Sequence, residues 1–152
     1  MFMFRLRRRT PSDCEAVVSW VPDSDALYLF TGPRLRWPLD TVQLSEMEDE
    51  GHSGWTLVED ESDEALGHFD LAIDGEVARL GRVCIDPMRR GQGLAHVLVG
   101  CAIDRARSLG ASEMRLNVIV GNDAAIRTYE RAGFTTSPRS DRPDVLVMSR
   151  VL

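Results

Sequence analysis

Near the start of the chain, apolar Phe4 and Leu6 alternate with Arg5, Arg7 and Arg9, with Arg8 on the apolar parity. This predicts a strand over residues 2–9 at a sheet edge, its arginines on a solvated face. Thr10-Pro11-Ser12-Asp13 supplies N-cap chemistry for a helix running through Val21, which Pro22 stops. A second helical piece is expected at 24–30, ended by Thr31-Gly32-Pro33, followed by an aromatic and basic loop at 34–39 and a short helix at 41–50. Residues 55–59 and 65–73 read as two strands of a hairpin turned at the acidic Asp60-Glu61-Ser62-Asp63. Asp74-Gly75 is a tight-turn signal leading into a strand at 76–85. Leu94, Val97, Leu98, Cys101, Ala102 and Leu109 then recur at helical spacing, with Gly110 as the C-terminal cap. A strand at 115–120, a helix at 122–132 capped by Gly133 and a strand at 144–151 complete the chain. Strands first, then strand and helix in alternation, give an α/β (α+β) class: a mixed, mostly antiparallel central sheet flanked by helices on both faces. The whole of 1–152 reads as one domain.

Composition narrows the class without changing it. With 43% hydrophobic and 28% charged residues the chain has enough apolar material for a core and is neither disordered nor fibrous. No apolar run approaches the ~20 residues of a membrane-spanning helix, and the N-terminus places its apolar block ahead of its arginines without a small-residue cleavage site. A cytoplasmic protein without a membrane partner is therefore expected. The net charge of −6 argues against nucleic acid as a partner. Cys14, Cys84 and Cys101 are three in number and lack metal-ligand spacing, and His52, His68 and His96 are scattered, so buried free thiols and no metal site are expected. All 18 basic residues are arginine, so the chain has no lysine side-chain amine.

Candidate chemistry concentrates after the strand Val83-Cys84-Ile85, where Asp86-Pro87 leads into Arg90-Gly91-Gln92-Gly93-Leu94-Ala95. Two glycines two residues apart let the backbone turn sharply and approach a ligand closely. A helix opening at Leu94 turns unpaired amides and the positive end of its dipole toward the loop, an anion site to which Arg90 adds charge. Taken alone, the pattern suits a tight turn as well as a phosphate site. It lacks both the Gly-Lys-Ser/Thr of a P-loop and the third glycine and following acid of a dinucleotide fingerprint.

A second landmark follows about 30 residues on, running from Gly121-Asn122 through Ala125 and Tyr129 to Gly133-Phe134. The two together resemble the GCN5-related N-acetyltransferases. Arg90-x-x-Gly93-x-Ala95 is similar to that family's Arg/Gln-x-x-Gly-x-Gly/Ala signature, and 122–134 to its Asn-x-x-Ala-x-x-x-Tyr-x-x-x-Gly-Phe run. The likeness covers about the last half of the chain, residues 1–63 following only in element order. It implies acetyl-CoA as acyl donor, its pyrophosphate on Arg90, Gly91, Gln92, Gly93, Leu94 and Ala95, its pantetheine arm paired with the backbone of Val83, Cys84 and Ile85, and Asn122 further along. Tyr129 takes the family position whose phenol donates a proton to the departing thiolate, a role that suits an unperturbed pKa near ~10.

The acceptor is expected to be a primary amine of a small molecule, amino acid or peptide. Relatives that acetylate ribosomal-protein N-termini carry a glutamate where this chain has Asn117, which accepts no proton at neutral pH, so that specificity is the alternative. A non-catalytic acyl-CoA sensor is a third reading. His68, Asp70 or a water chain are the routes open for the amine proton. Trp37, Tyr28 and Phe30 are candidates to line the acceptor pocket, and Glu46, Glu48, Asp49 and Glu50 to attract a cationic amine. A homodimer is the expectation by family likeness.

Overall fold

A computed structural model describes residues 3–137 and 141–152. Its elements run β1 (Phe4–Arg8), α1 (Pro11–Ser19), α2 (Ser24–Thr31), α3 (Thr41–Asp49), β2 (Ser53–Glu59), β3 (Ala65–Asp74), β4 (Val77–Ile85), α4 (Leu94–Ser108), β5 (Glu113–Ile119), α5 (Asp123–Arg131), β6 (Thr135–Thr136) and β7 (Val145–Val151). The seven strands form one sheet in the order β1-β2-β3-β4-β5-β7-β6. β4 and β5 run parallel and the other described neighbours antiparallel. The parallel pair needs a crossover, which α4 provides. The expected mixed, mostly antiparallel sheet is present.

Two apolar clusters hold the layers together. On one face Leu57, Phe69, Leu71 and Leu80 meet Leu98, Ala102 and Ile103 of α4 and Tyr129 of α5. α1, α2 and α3 form a second cluster around Cys14, Val17, Leu27 and Leu44. Fully burying side chains of this size contributes about 1.5–3 kcal/mol each.

The N-terminal signals behave as their chemistry requires. Thr10 Oγ1 accepts from the Asp13 amide while the Asp13 carboxylate accepts from the Thr10 amide, a reciprocal capping box. α1 nevertheless ends at Ser19 rather than Val21, because Trp20 and Val21 turn into the second cluster. Phe2, where the first strand was expected to start, lies outside the described residues. β6, only two residues long, gave no readable periodicity.

The solvated arginine face is corrected. β1 is an edge strand, but Arg9 is buried at 7% exposure. Its guanidinium donates to Asp70 Oδ1 at 2.9 Å and to the Leu44 carbonyl at 3.0 Å, and lies 3.0 Å from His68 Nδ1. Gly54 makes room for it, since a Cβ there would sit 2.5 Å from Arg9 Cζ. Arg7 binds Asp13, whose charge survives burial because Arg7, the Thr10 amide and Thr56 hold its pKa below the usual range. The arginines of β1 thus fasten the strand to α1, α3 and β3.

Candidate active site

One irregularity in β4 creates the site. His68 pairs with Cys84 and Asp70 with Gly81, so Phe69 alone on β3 faces both Arg82 and Val83. This is a β-bulge, and Arg82 absorbs it with a positive φ of 51°. Beyond the bulge β4 leaves its parallel neighbour. The ladder joins 77–80 to 113–116 and stops, although β4 continues to Ile85 and β5 to Ile119. The two strands therefore open as a V, with the backbone of 81–85 unpaired on the β5 side.

The opening holds two cavities. The larger, about 500 Å³, is lined by Val83, Cys84 and Ile85 on β4, by Arg90, Gly91, Gly93, Leu94 and Ala95 at the start of α4, and by Asn122 and Tyr129. Gly91 and Gly93 have φ of 83° and 76°, a region that costs other residues strain, and a Cβ on either would project into open space. Gly93 is the N-cap of α4, and no side chain caps the helix, so its first amides remain available for an anion. Gln92 is exposed and lies outside the lining; the other sequence-derived cofactor residues are brought together.

Apart from Phe30, the sequence reading missed the other wall. Trp20 and Val21, from the end of α1, and Ala26, Leu29 and Phe30 of α2 also line the larger cavity. They come from a segment about 60 residues earlier, and nothing in their spacing distinguishes lining from core.

The smaller cavity, about 350 Å³, lies on the β5 side of the opening. It shares Leu29, Phe30, Val83, Asn122, Ala125 and Tyr129 with the first. Tyr129 is buried, its ring tilted against Phe134 with centroids 5.9 Å apart. Burial, reinforced by Cys84, pushes its pKa well above 10, so the phenol keeps its proton throughout the neutral range. Burial also pushes the Cys84 thiol up to about 12, which leaves it an uncharged wall group. Cys84 and Cys101 are half-buried and Cys14 is buried, all three free.

Several acceptor-side expectations are overturned. His68 and Asp70 are wholly enclosed and line neither cavity. Burial lowers the His68 pKa to about 3. Burial would raise that of Asp70, but the Arg82 and Arg9 guanidinium groups outweigh it and hold the carboxylate ionised between them. A carboxylate so paired, without access to either cavity, is a structural charge and no base. Of the three aromatics Phe30 alone lines a cavity; Trp37 is exposed, and the Tyr28 hydroxyl donates to Asp144. Glu46, Glu48, Asp49 and Glu50 line neither cavity, because the wall is built from β4, β5 and the end of α2 rather than from α3. In their place the smaller cavity presents Arg34, His52, Arg79, Arg82, Arg115 and Asn117.

Comparison with known proteins agrees with this architecture. A profile of the acetyltransferase (GNAT) family matches residues 19–134. A mycothiol acetyltransferase of Actinosynnema mirum is 30% identical over 119 residues, 77% of this chain and 37% of that protein. One from Mycobacteroides abscessus is 39% identical over 70 residues, 46% of this chain and 23% of that protein. The chain thus spans well under half the length of these curated relatives. A spermidine N-acetyltransferase from Vibrio cholerae, solved with CoA and spermine, superposes with a TM-score of 0.78 at 19% identity over 97% of this chain and 95% of its own. The ribosomal-protein-S18-alanine N-acetyltransferase from Escherichia coli does so at 0.73 and 21%, over 98% and 94%. With the profile spanning both loop landmarks and the strands and helices that carry them, the chain belongs to the GNAT family of acetyltransferases.

Proposed function

We propose that this chain transfers the acetyl group of acetyl-CoA directly to a primary amine. The observation that carries the reading is the meeting of two cavities at one wall, where Tyr129 and Val83 belong to both. One cavity has the features that a CoA molecule requires. Glycines at positive φ and uncapped amides suit its pyrophosphate, and an unpaired strand edge suits its pantetheine amides.

In this reading Gly91, Gly93, Leu94 and Ala95 hold the diphosphate with Arg90, the backbone of Val83, Cys84 and Ile85 aligns the pantetheine, and Asn122 borders the thioester end. Gln92 contributes its backbone turn and no wall. Bound acetyl-CoA supplies an activated acyl carbon. A nitrogen–carbon bond forms, the carbon–sulfur bond breaks, and one proton passes from nitrogen to sulfur. Tyr129 donates from its hydroxyl to the sulfur as negative charge grows there and is reprotonated at the expense of the acceptor nitrogen.

No carboxylate lines either cavity, so the acceptor must arrive as a free amine or lose its proton to solvent. The arginines around the smaller cavity assist, since neighbouring positive charge lowers the pKa of a bound ammonium. The relatives named for mycothiol, spermidine and ribosomal protein S18 differ in acceptor, which leaves the acceptor to be read from this chain's own cavity. The test is thiol release from acetyl-CoA over a panel of amines, amino acids and peptides, beside calorimetry of CoA binding. Tight CoA binding with no thiol release from any amine would replace the enzyme reading by a sensor.

A further inference from the structure

Resting on the acetyl-transfer reading, we infer that the acceptor amine carries an oxyanion, carboxylate or phosphate, which the arginines of the smaller cavity bind. Arg34, Arg79, Arg82, Arg115 and Arg142 line it, and no aspartate or glutamate does. A polyamine or other polycation would meet guanidinium groups there, of which Arg34, Arg82, Arg115 and Arg142 have carboxylate partners outside the lining and Arg79 has no ion pair among the described residues.

Three features make this more than a basic patch. His52 lies between two guanidinium groups, with Arg82 Nη2 3.1 Å from its Nδ1 and Arg34 Nη2 3.3 Å from its Nε2. Burial and those two charges lower its pKa, so the ring is neutral at pH 7. A neutral imidazole accepts at one nitrogen only; with Nδ1 accepting from Arg82, the Arg34 Nη2 faces an N–H and keeps Glu50 Oε2, 3.2 Å away, as its acceptor. Arg79 and Arg115 are direct partners across the parallel ladder, where like charges repel, and Arg79 makes no ion pair among the described residues. Glu113 engages Arg115 at 3.0 Å. Arg82 is only 8% exposed, its Nε fixed on Asp70 Oδ2 at 2.6 Å, so its remaining donors are rigidly presented. Arg34 completes the set from the rim. Its pairing with Glu50 is half-exposed on both sides and is readily exchanged for a ligand. Arg79 thus lacks a carboxylate among the described residues beside a lining that has none, and an oxyanion supplies it.

The geometry also orients the acceptor. Arg79 and Arg34 line the same cavity as Tyr129 and Val83, the wall it shares with the larger one, so one acceptor can meet both.

The test uses amines that differ in charge: L-methionine and O-phosphoethanolamine against L-methioninamide and spermidine, by thiol release and by calorimetry on the CoA-saturated protein. Methionine, phosphoethanolamine or both should exceed the two uncharged or cationic comparators by ~10–100-fold in kcat/KM, the range expected for a charge-assisted hydrogen-bonded group; which of the two leads separates carboxylate from phosphate. Arg79→Gln and Arg34→Gln should each raise KM for the acid-bearing amine at least tenfold, with kcat and CoA affinity near wild type, so that the preference over methioninamide collapses. Spermidine or methioninamide used as well as the acids would overturn the oxyanion site while leaving acetyl transfer standing. Arg79-dependent binding of an acid with no turnover of any amine would support the site and remove acetyl transfer instead.

Discussion

At the scale of single residues, the proposed roles of Tyr129 and Gly93 predict separate effects on turnover and on binding. Removing only the Tyr129 hydroxyl keeps the ring against Phe134 and the cavity wall intact. Tyr129→Phe should lower kcat by roughly 10²–10⁴-fold, with CoA affinity within a few-fold of wild type. A loss under about threefold would make Tyr129 a packing residue. Gly93→Val should do the reverse. No atom lies within 4 Å of a Cβ at Gly93, so the fold loses only the strain of a φ of 76°, about 1–2 kcal/mol, while CoA affinity collapses because the added side chain stands where the diphosphate approaches. Wild-type CoA affinity in the folded variant would remove the cradle assignment. Gly93 was legible because turn and helix-start chemistry is local, whereas Tyr129 was singled out only by the family likeness of 122–134. Arg82 was not legible. By parity it continues the core-facing series of Ala78 and Leu80, and only the bulge and its positive φ redirect it to Asp70 and His52.

At the scale of elements, periodicity recovered most of the strands and helices to within a residue or two, because one face of each is buried. It missed what depends on a partner strand. The splaying of β4 from β5 follows from where a ladder stops, and no residue in either strand announces it. The role of β1 was misread for the same reason: its arginines look solvated until Asp13, Asp63 and Asp70 are folded against them. Gly54 on β2 tests that arrangement. In Gly54→Ala the new methyl would meet a guanidinium pinned by the Leu44 carbonyl and Asp70. Displacing Arg9 leaves a buried carboxylate half-paired, and denaturant unfolding should show a loss of about 3 kcal/mol. A loss below ~1 kcal/mol would mean that Arg9 moves aside freely.

At the scale of the molecule, the buried polar layer between the sheet and α1–α3 governs acid sensitivity. His68 has a folded pKa near 3 against 6.5 when exposed, and its Nε2 has no hydrogen-bond partner among the described residues. Below pH 6.5 the unfolded chain binds a proton that the folded chain refuses, so the stability His68 contributes is complete above 6.5 and is lost as pH falls toward 3. The slope approaches ~1.4 kcal/mol per pH unit. His52, also lowered, acts in the same direction, more weakly because it is partly open to solvent. Unfolding free energies between pH 7 and 5 should therefore fall with acid, and His68→Gln should flatten the slope whatever its effect at pH 7. An unchanged slope would show that His68 is protonated in the folded state.

The wall common to the two cavities has a further consequence. Leu29 and Phe30 face both, and α2 rests on β4 beside the opening, so a ligand that orders these side chains from one side does so for the other. Occupancy of the two chambers is then thermodynamically linked, and linkage is reciprocal: whatever factor CoA applies to the acceptor's dissociation constant, the acceptor must apply to that of CoA. Titrations begun from either ligand close one cycle. In the proposed reading, α2, which contributes to both walls, is the element through which one site would sense the other.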